Sequence, residues 1–375
     1  MRRTIFEPEH EDFRESVRGF LRKEAVPKTD EWEANGIIDR DFWRKAAAQG
    51  FVAFSAPEEH GGLGVEDFRF NAIIDEECAY TGAVTDNFAI VNDIVVPYLT
   101  DLTTAEQRAR WLPAVTTGES VPAIAMTEPG TGSDLRAIAA SAKWDGEHWR
   151  LSGSKTFVTS GIQCDLVIVA ANTGEGLSLL AVPADSEGFT RGRKLEKVGR
   201  KGQDTAELFF DDVAVPPEDV IGEVGRGLSL LMRNLPQERL SIAVTAVASA
   251  ERALEITLEY VKGRNAFGKP VGSFQANRFS LAEAATEVQV ARVYVDRCLA
   301  LQVAGELTPE DAAGAKYWTT ELQFKVIDLG LQLHGGYGYM EEYEIARMWR
   351  DARVQRIYGG TTEIMKEIVG RSLGL

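Results

Sequence analysis

The sequence predicts an α+β fold in three consecutive parts, helical, then β, then helical, and two observations carry that expectation. Apolar residues recur at helical spacing in the first and last parts, whereas the middle breaks into short β-branched and aromatic runs between turn residues. A chain of 375 residues also exceeds the ~150 residues typical of one domain. The parts read as an N-terminal α-helical domain over 1–120, a central β domain over 121–226 and a C-terminal α-helical domain over 227–375.

In the first part, Phe13, Val17, Phe20 and Leu21 predict a helix over 13–24, and similar segments follow at 41–49, 65–80 and 86–98. In the second, runs at 149–151, 156–159, 166–170, 177–182 and 207–210 predict strands of a small sandwich or barrel. After Gly227, helical periodicity returns. Leu240, Ala243, Val244, Val247, Leu254, Leu258 and Val261 mark one long helix ending at Gly263. An apolar helical face left over beyond Gly314 points to oligomerisation.

Lys plus Arg number 41 and Asp plus Glu 57, a net charge of −16. With no long basic block, nucleic acid and anionic membranes are poor partners. No apolar run approaches the ~18 residues of a membrane span. Met1-Arg2-Arg3 leads into Glu7, Glu9, Glu11 and Asp12, so neither a secretory signal nor a transit segment is expected. Cys78, Cys164 and Cys298 lie far apart without CxxC spacing, which argues against a disulfide framework and a metal centre and for a cytoplasmic location.

Three polar clusters could carry chemistry. Met126-Thr127-Glu128-Pro129-Gly130-Thr131-Gly132-Ser133-Asp134 is either a ligand loop, whose glycine amides can approach a bound group, or a connecting loop with a Pro-Gly turn. Strand alternation in Gly153–Gly161 puts Thr156, Val158 and Ser160 on one face and Phe157 with Thr159 on the other. That second face can stack on a planar ring, or it is one side of a half-buried strand. Gln332-Leu333-His334-Gly335-Gly336-Tyr337-Gly338-Tyr339 joins helix to helix as a ligand loop or a C-cap, with His334 a packing or capping residue rather than a base. No G-x-S-x-G elbow and no G-x-G-x-x-G unit occurs, so hydrolase and nicotinamide readings lack support.

Together with Arg264-x-x-Phe267-Gly268-Lys269, Phe274-Gln275 and Arg350-Asp351 leading to Ile357-Tyr358-x-Gly360-Thr361, these clusters make the chain resemble the acyl-CoA dehydrogenase family over its whole length. The resemblance implies a C-terminal four-helix bundle, bound FAD and a homotetramer built as a dimer of dimers. It places Met126, Thr127, Gly132 and Ser133 against the flavin, with Ser133 also meeting substrate, and Phe157 and Thr159 beside the isoalloxazine. It assigns Arg264, Phe267 and Gln275 to the FAD of the neighbouring subunit, with Gln332, Gly335 and Gly336 reaching across the interface and Thr361 and Glu363 near the adenine end. Arg264 alone could equally cap the preceding helix.

Many family members carry the catalytic glutamate directly after the tyrosine of the last motif, but Tyr358 is followed here by Gly359. Leu235-Pro236-Gln237-Glu238-Arg239-Leu240 resembles the long-chain and isovaleryl branch, in which the base sits on the long helix, and that points to Glu238. The competing expectation starts that helix near Asn234 and makes Glu238 a first-turn carboxylate favouring the helix dipole. Arg239 resembles a position near CoA, or is a surface arginine. The resemblance puts Tyr358 and Gly359 on the substrate side and implies the Gly359 amide and a ribityl hydroxyl of FAD as donors to the thioester carbonyl.

The implied activity is α,β-dehydrogenation of an acyl-CoA thioester to a trans-2-enoyl-CoA, with an electron-transferring flavoprotein as acceptor. Alternatives that keep the fold are an acyl carrier protein-linked dehydrogenase, an oxidase or monooxygenase reacting with oxygen, and a non-catalytic FAD-binding subunit of a mixed tetramer.

Overall fold

The computed structural model describes residues 2–85 and 87–375. The first part holds α1 (Pro8–Glu24), α2 (Thr29–Asn35), α3 (Arg40–Ala48) and α4 (Phe68–Thr81). Helix α1 begins before its first periodic residue because Glu7 and His10 form a reciprocal capping box with Pro8 in the first turn. The segment expected as one helix over 86–98 starts at Asp86, outside the described residues, and is helical without a gap beyond it, but widened by a π-helical stretch. It comprises α5 (Asn87–Ala89), a π-helical turn over Ile90–Val95 and α6 (Val96–Asp101), before α7 (Ala105–Thr116). The wide turn buries Asn92, which accepts from the Ala53 amide at 2.8 Å and donates to the Phe51 carbonyl at 2.9 Å.

One eight-stranded sheet follows, built from β1 (Pro122–Ala125), β2 (Ser141–Trp144), β3 (Trp149–Thr159), β4 (Leu166–Asn172), β5 (Leu177–Pro183), β6 (Phe189–Lys194), β7 (Thr205–Val215) and β8 (Val220–Ile221). The order is β6-β7-β3-β2-β4-β5-β8, with β1 parallel to β4. Two expected runs, 149–151 and 156–159, are one strand, β3. Its pairing with β7 slips between Lys155 and Val158, where Phe157 takes a left-handed φ of 58°. The slip leaves the Phe157 ring 68% exposed.

The last part contains α8 (Gly227–Gly263), a hairpin of β9 (Asn265–Ala266) and β10 (Lys269–Pro270), α9 (Gln275–Val303), α10 (Pro309–His334), α11 (Glu344–Ala352) and α12 (Thr362–Ser372). Two apolar cores result. One is shared by the N-terminal helices and the sheet and reaches Leu231; the other joins α8, α9 and α10 and includes Leu240. Helix α8 therefore crosses from one core to the other, and Glu238 lies at the seam.

Between α1, α4, α8 and α9 runs a buried ionic network. The fully buried Glu76 accepts from Arg3 at 2.9 Å, Arg14 at 2.8 Å and Arg292 at 2.7 Å. Arg292 also holds Glu251 through two bonds of 2.9 and 2.6 Å, and Arg18 holds Glu77 through two of 2.7 and 2.8 Å. Burial opposes ionisation of Glu76, yet Arg292, Arg3 and Arg14 outweigh it and bring the carboxyl down to about 2.

Candidate active site

Helix α8 runs unbroken from Gly227, so Asn234 and Pro236 are interior positions and Glu238 lies in the helix body. That overturns the first-turn alternative, because the helix dipole acts chiefly within the terminal turn. Glu238 is 4% exposed, and its Oε1 accepts from the Tyr98 hydroxyl at 3.1 Å. Burial pushes the Glu238 carboxyl up to about 7, against the opposing influence of Tyr98 and Arg239. Tyr98, wholly buried on α6, is itself raised by burial and by the Glu238 charge, so it stays a donor through the neutral range.

The π-helical turn fixes α8 at this level. Gln237 Nε2 donates to the Asp93 carbonyl at 2.8 Å, and Ser241 Oγ donates to Asp93 Oδ2 at 2.6 Å. Asn71 Nδ2 donates to Asp93 Oδ1 at 2.6 Å. Residues 237, 238 and 241 are thus all tied to the Ile90–Asp101 stretch.

Against the same region of α8 lies the turn Tyr358-Gly359-Gly360. Both glycines are left-handed, with φ of 64° and 98°. A Cβ on Gly359 would lie 2.5 Å from Ile242 Cδ1. Ile242 is one turn from Glu238 on the same helix face. A side chain at 359 would therefore project onto the Ile242 side chain of α8, one turn from Glu238. Arg239 is 6% exposed, and its Nε donates to the Gly359 carbonyl at 3.2 Å, which rules out the surface-arginine alternative. Lys316 Nζ, from α10, donates to the Gly360 carbonyl at 2.6 Å. The Arg200 guanidinium lies 5.7 Å from the Tyr358 ring centroid, and the Arg200 amide donates to Asp351 at 2.5 Å.

The 126–134 loop forms a second group with β3. Lys155, buried, donates to the Met126 carbonyl at 3.1 Å and to Glu128 at 2.8 Å. Glu128 also accepts from the Ala139 and Ala140 amides at 2.7 and 2.9 Å, and the Thr156 amide donates to the Thr127 carbonyl at 2.9 Å. The loop is thereby fixed, with Gly132 and Ser133 exposed and Met126, Thr127 and Thr159 half-buried. Thr156, Val158 and Ser160 are buried and Phe157 exposed, matching the expected alternation.

A third group lines a cavity of about 550 Å³: Tyr260, Arg264, Gly335, Gly336 and Tyr337 among others. Here the Arg264 amide closes α8 on the Tyr260 carbonyl while its guanidinium lies 5.8 Å from the Tyr337 ring. His334 stacks on Tyr260 with centroids 4.1 Å apart and its Nδ1 meets the Gly330 carbonyl at 2.7 Å, a packing and capping role. Phe267, 96% exposed, and Gln275 and Gln332, also exposed, are not gathered into this cavity. Thr361 caps α12 by accepting from the Ile364 amide at 3.3 Å, and Glu363 lies exposed in its first turn. Among the described residues no cluster of three or more His, Cys, Asp or Glu is arranged to hold a metal.

Sequence reasoning missed Tyr98, Asp93 and Lys316. Only Lys316 left a usable signal: it falls at helical spacing with Ala312, Thr319 and Thr320, all buried, so a lysine was being asked to face a core.

The chain's residues 7–119, 123–213 and 225–374 match, in order, the N-terminal, middle and C-terminal domains of acyl-CoA dehydrogenase. The long-chain specific acyl-CoA dehydrogenase, mitochondrial, of Sus scrofa is 47% identical over 378 residues, covering 99% of this chain and 88% of the relative. A crystal structure of acyl-CoA dehydrogenase from Geobacillus kaustophilus has a TM-score of 0.97 at 48% identity, with 99% of each chain covered. An acyl-CoA dehydrogenase complexed with FAD from Bacillus anthracis gives 0.89 at 29% identity, covering 100% of this chain and 69% of that one. Three domains matched in sequence order and two folds superposed over nearly the whole chain lead to one conclusion: the protein belongs to the acyl-CoA dehydrogenase family.

Proposed function

We propose that this protein is an FAD-dependent acyl-CoA dehydrogenase that converts an acyl-CoA thioester to a trans-2-enoyl-CoA with Glu238 as the base. The observation that carries the assignment is a buried carboxylate, held near 7, on the same stretch of α8 whose Arg239 and Ile242 lie against the Gly359-Gly360 turn. A base titrating near neutral pH is matched to abstraction of a proton α to a carbonyl.

The residues present fit FAD. A Cβ on Gly335 or Gly336 would meet nothing within 4 Å, so their backbone faces open space beside the Arg264 fork of donors, which suits a pyrophosphate. The exposed Phe157 ring offers a face for the isoalloxazine, with the fixed 126–133 loop alongside. When bound, FAD supplies the acceptor for the hydride leaving the β carbon. Glu238 takes the α proton, and the Gly359 amide donates to the carbonyl oxygen on which enolate charge develops. Ser133 and Tyr358 border the substrate in this reading.

An electron-transferring flavoprotein is the proposed acceptor. The proposed assembly is a homotetramer, supported by exposed Phe279, Val290 and Val293 on one face of α9 and by the projecting Phe267. The three free, buried cysteines suit a reducing compartment, proposed as the cytoplasm, and no helix among the described residues is long and apolar enough to cross a membrane.

The test is anaerobic bleaching of the FAD band by a panel of acyl-CoA thioesters led by long chains, run beside Glu238→Gln. Bleaching in the parent and not in the variant is expected. Bleaching at the parental rate in Glu238→Gln removes the base assignment, and none with any thioester removes the dehydrogenase reading.

A further inference from the structure

Lys316 is a charged side chain with no surface, fully buried in the first third of α10. Burial, with the charge of another buried cation, Arg239, lowers the Lys316 ammonium to about 8, against the opposing pull of Glu321 and Glu363. Two cations driven together in an interior are costly unless something specific holds them there. Among the described residues neither is drawn into an ion pair. Their hydrogen bonds go to consecutive backbone carbonyls instead, Arg239 to Gly359 at 3.2 Å and Lys316 to Gly360 at 2.6 Å.

Those carbonyls belong to a double-glycine turn. Gly359 and Gly360 have no side chains to pack, and both adopt left-handed backbone angles. Among the described residues none accepts a hydrogen bond from the Gly359 N–H, which stays available beside α8. An amide that must meet developing charge is effective only when its direction is fixed before the reaction.

We propose that Lys316, paired with Arg239, is a positioning residue that fixes the two peptide planes following Gly359, through the Gly359 and Gly360 carbonyls, and so limits the freedom of the turn that carries the Gly359 N–H toward the thioester carbonyl. This rests on the dehydrogenase reading but does not require Glu238 to be the base. The clamp replaces the restraint that a side chain at 359 would have given the turn. It acts on the enolate, not on thioester affinity or on the hydride acceptor.

The decisive readout is exchange of the thioester α protons with deuterated solvent, followed by mass spectrometry on the holoenzyme with a thioester whose β carbon carries no hydrogen. Lys316→Met should bind that thioester within about twofold of the parent and retain its FAD, yet exchange α protons roughly 10- to 100-fold more slowly. Lys316→Arg, which keeps the charge and donors, should recover most of the exchange and supplies the answer if Lys316→Met does not fold. Parental exchange in Lys316→Met overturns the clamp, as does Lys316→Arg that folds, binds and exchanges no faster than a chain lacking the donor. Glu238→Gln, run in parallel, separates the two claims: loss in Lys316→Met alone keeps the clamp and removes the base, and loss in Glu238→Gln alone does the reverse.

Discussion

Replacing Tyr98 by Phe removes one oxygen from a buried pair and should move the pH at which the enzyme works. The Tyr98 hydroxyl donates to Glu238 Oε1 at 3.1 Å, a bond that favours the ionised carboxylate. Hydrogen bonds to charged groups contribute ~1.5–3 kcal/mol, and one pKa unit corresponds to about 1.36 kcal/mol. Loss of the bond should therefore raise the Glu238 carboxyl from about 7 by about one unit or more. At pH 7 the ionised fraction falls from about a half to about a tenth, a loss of roughly fivefold. At high pH the two enzymes converge, because both bases are then ionised. The assay is kcat/KM for one thioester from pH 5.5 to 9.5, which reports the free enzyme. An unshifted acid limb, or a uniform drop at every pH, refutes the reasoning, since either means that Tyr98 does not act through the ionisation of Glu238.

Glu238→Gln should be more stable than the parent at pH 8 by up to about 3 kcal/mol, the rise from the ordinary 4.5 to about 7 converted at 1.36 kcal/mol per unit. The sign follows from a raised folded pKa: the neutral acid stabilises fully below about pH 4.5 and that contribution is lost as pH climbs through 7, so denaturant midpoints should agree at pH 4.5 and separate at pH 8. Glu76 carries the opposite sign. Its folded carboxyl, near 2, adds stability above about pH 4.5 that fades as pH falls toward 2, and Glu76→Gln should cost ~3–5 kcal/mol at pH 7 by leaving buried arginines underpaired. An acid titration of unfolding that is parallel in parent and variant would contradict this. Arg264→Gln should lose FAD on gel filtration while keeping its helical circular dichroism; retention of a full flavin complement would remove Arg264 from the cofactor site.

The order of helices, strands and helices was legible because each part keeps its own apolar period, and the end of α8 at Gly263 followed from the same period. The start of α8 was not. Asn234 and Pro236 look like a helix opening, but packing of Leu231 in one core and Leu240 in the other carries the helix on through them. The π-helical widening within 87–98 was hidden because apolar residues at Ile90, Val91, Ile94 and Val95 satisfy an α-helical period, while the buried polar Asn92 and Asp93 between them call for the wider turn. Motif positions in the 126–134 loop could be located from sequence, yet what fixes that loop, the Lys155–Glu128 pair, is a contact across 27 residues. Tyr98 was invisible, and the partner of Lys316 unreadable, for a related reason: each acts across the chain on an atom that only the folded state brings near.

The passage of α8 through both cores has a thermodynamic consequence. A helix of 37 residues spans about 55 Å, and its early turns complete one apolar cluster while its middle completes the other. Neither cluster can melt without exposing part of α8, and fraying α8 strips contacts from the second. The two cores are thus linked into one cooperative unit, and the segment with Glu238 is the link. Amides around Glu238 should open only with the whole molecule, so the backbone that carries this carboxylate is expected in the slowest-exchanging part of the fold.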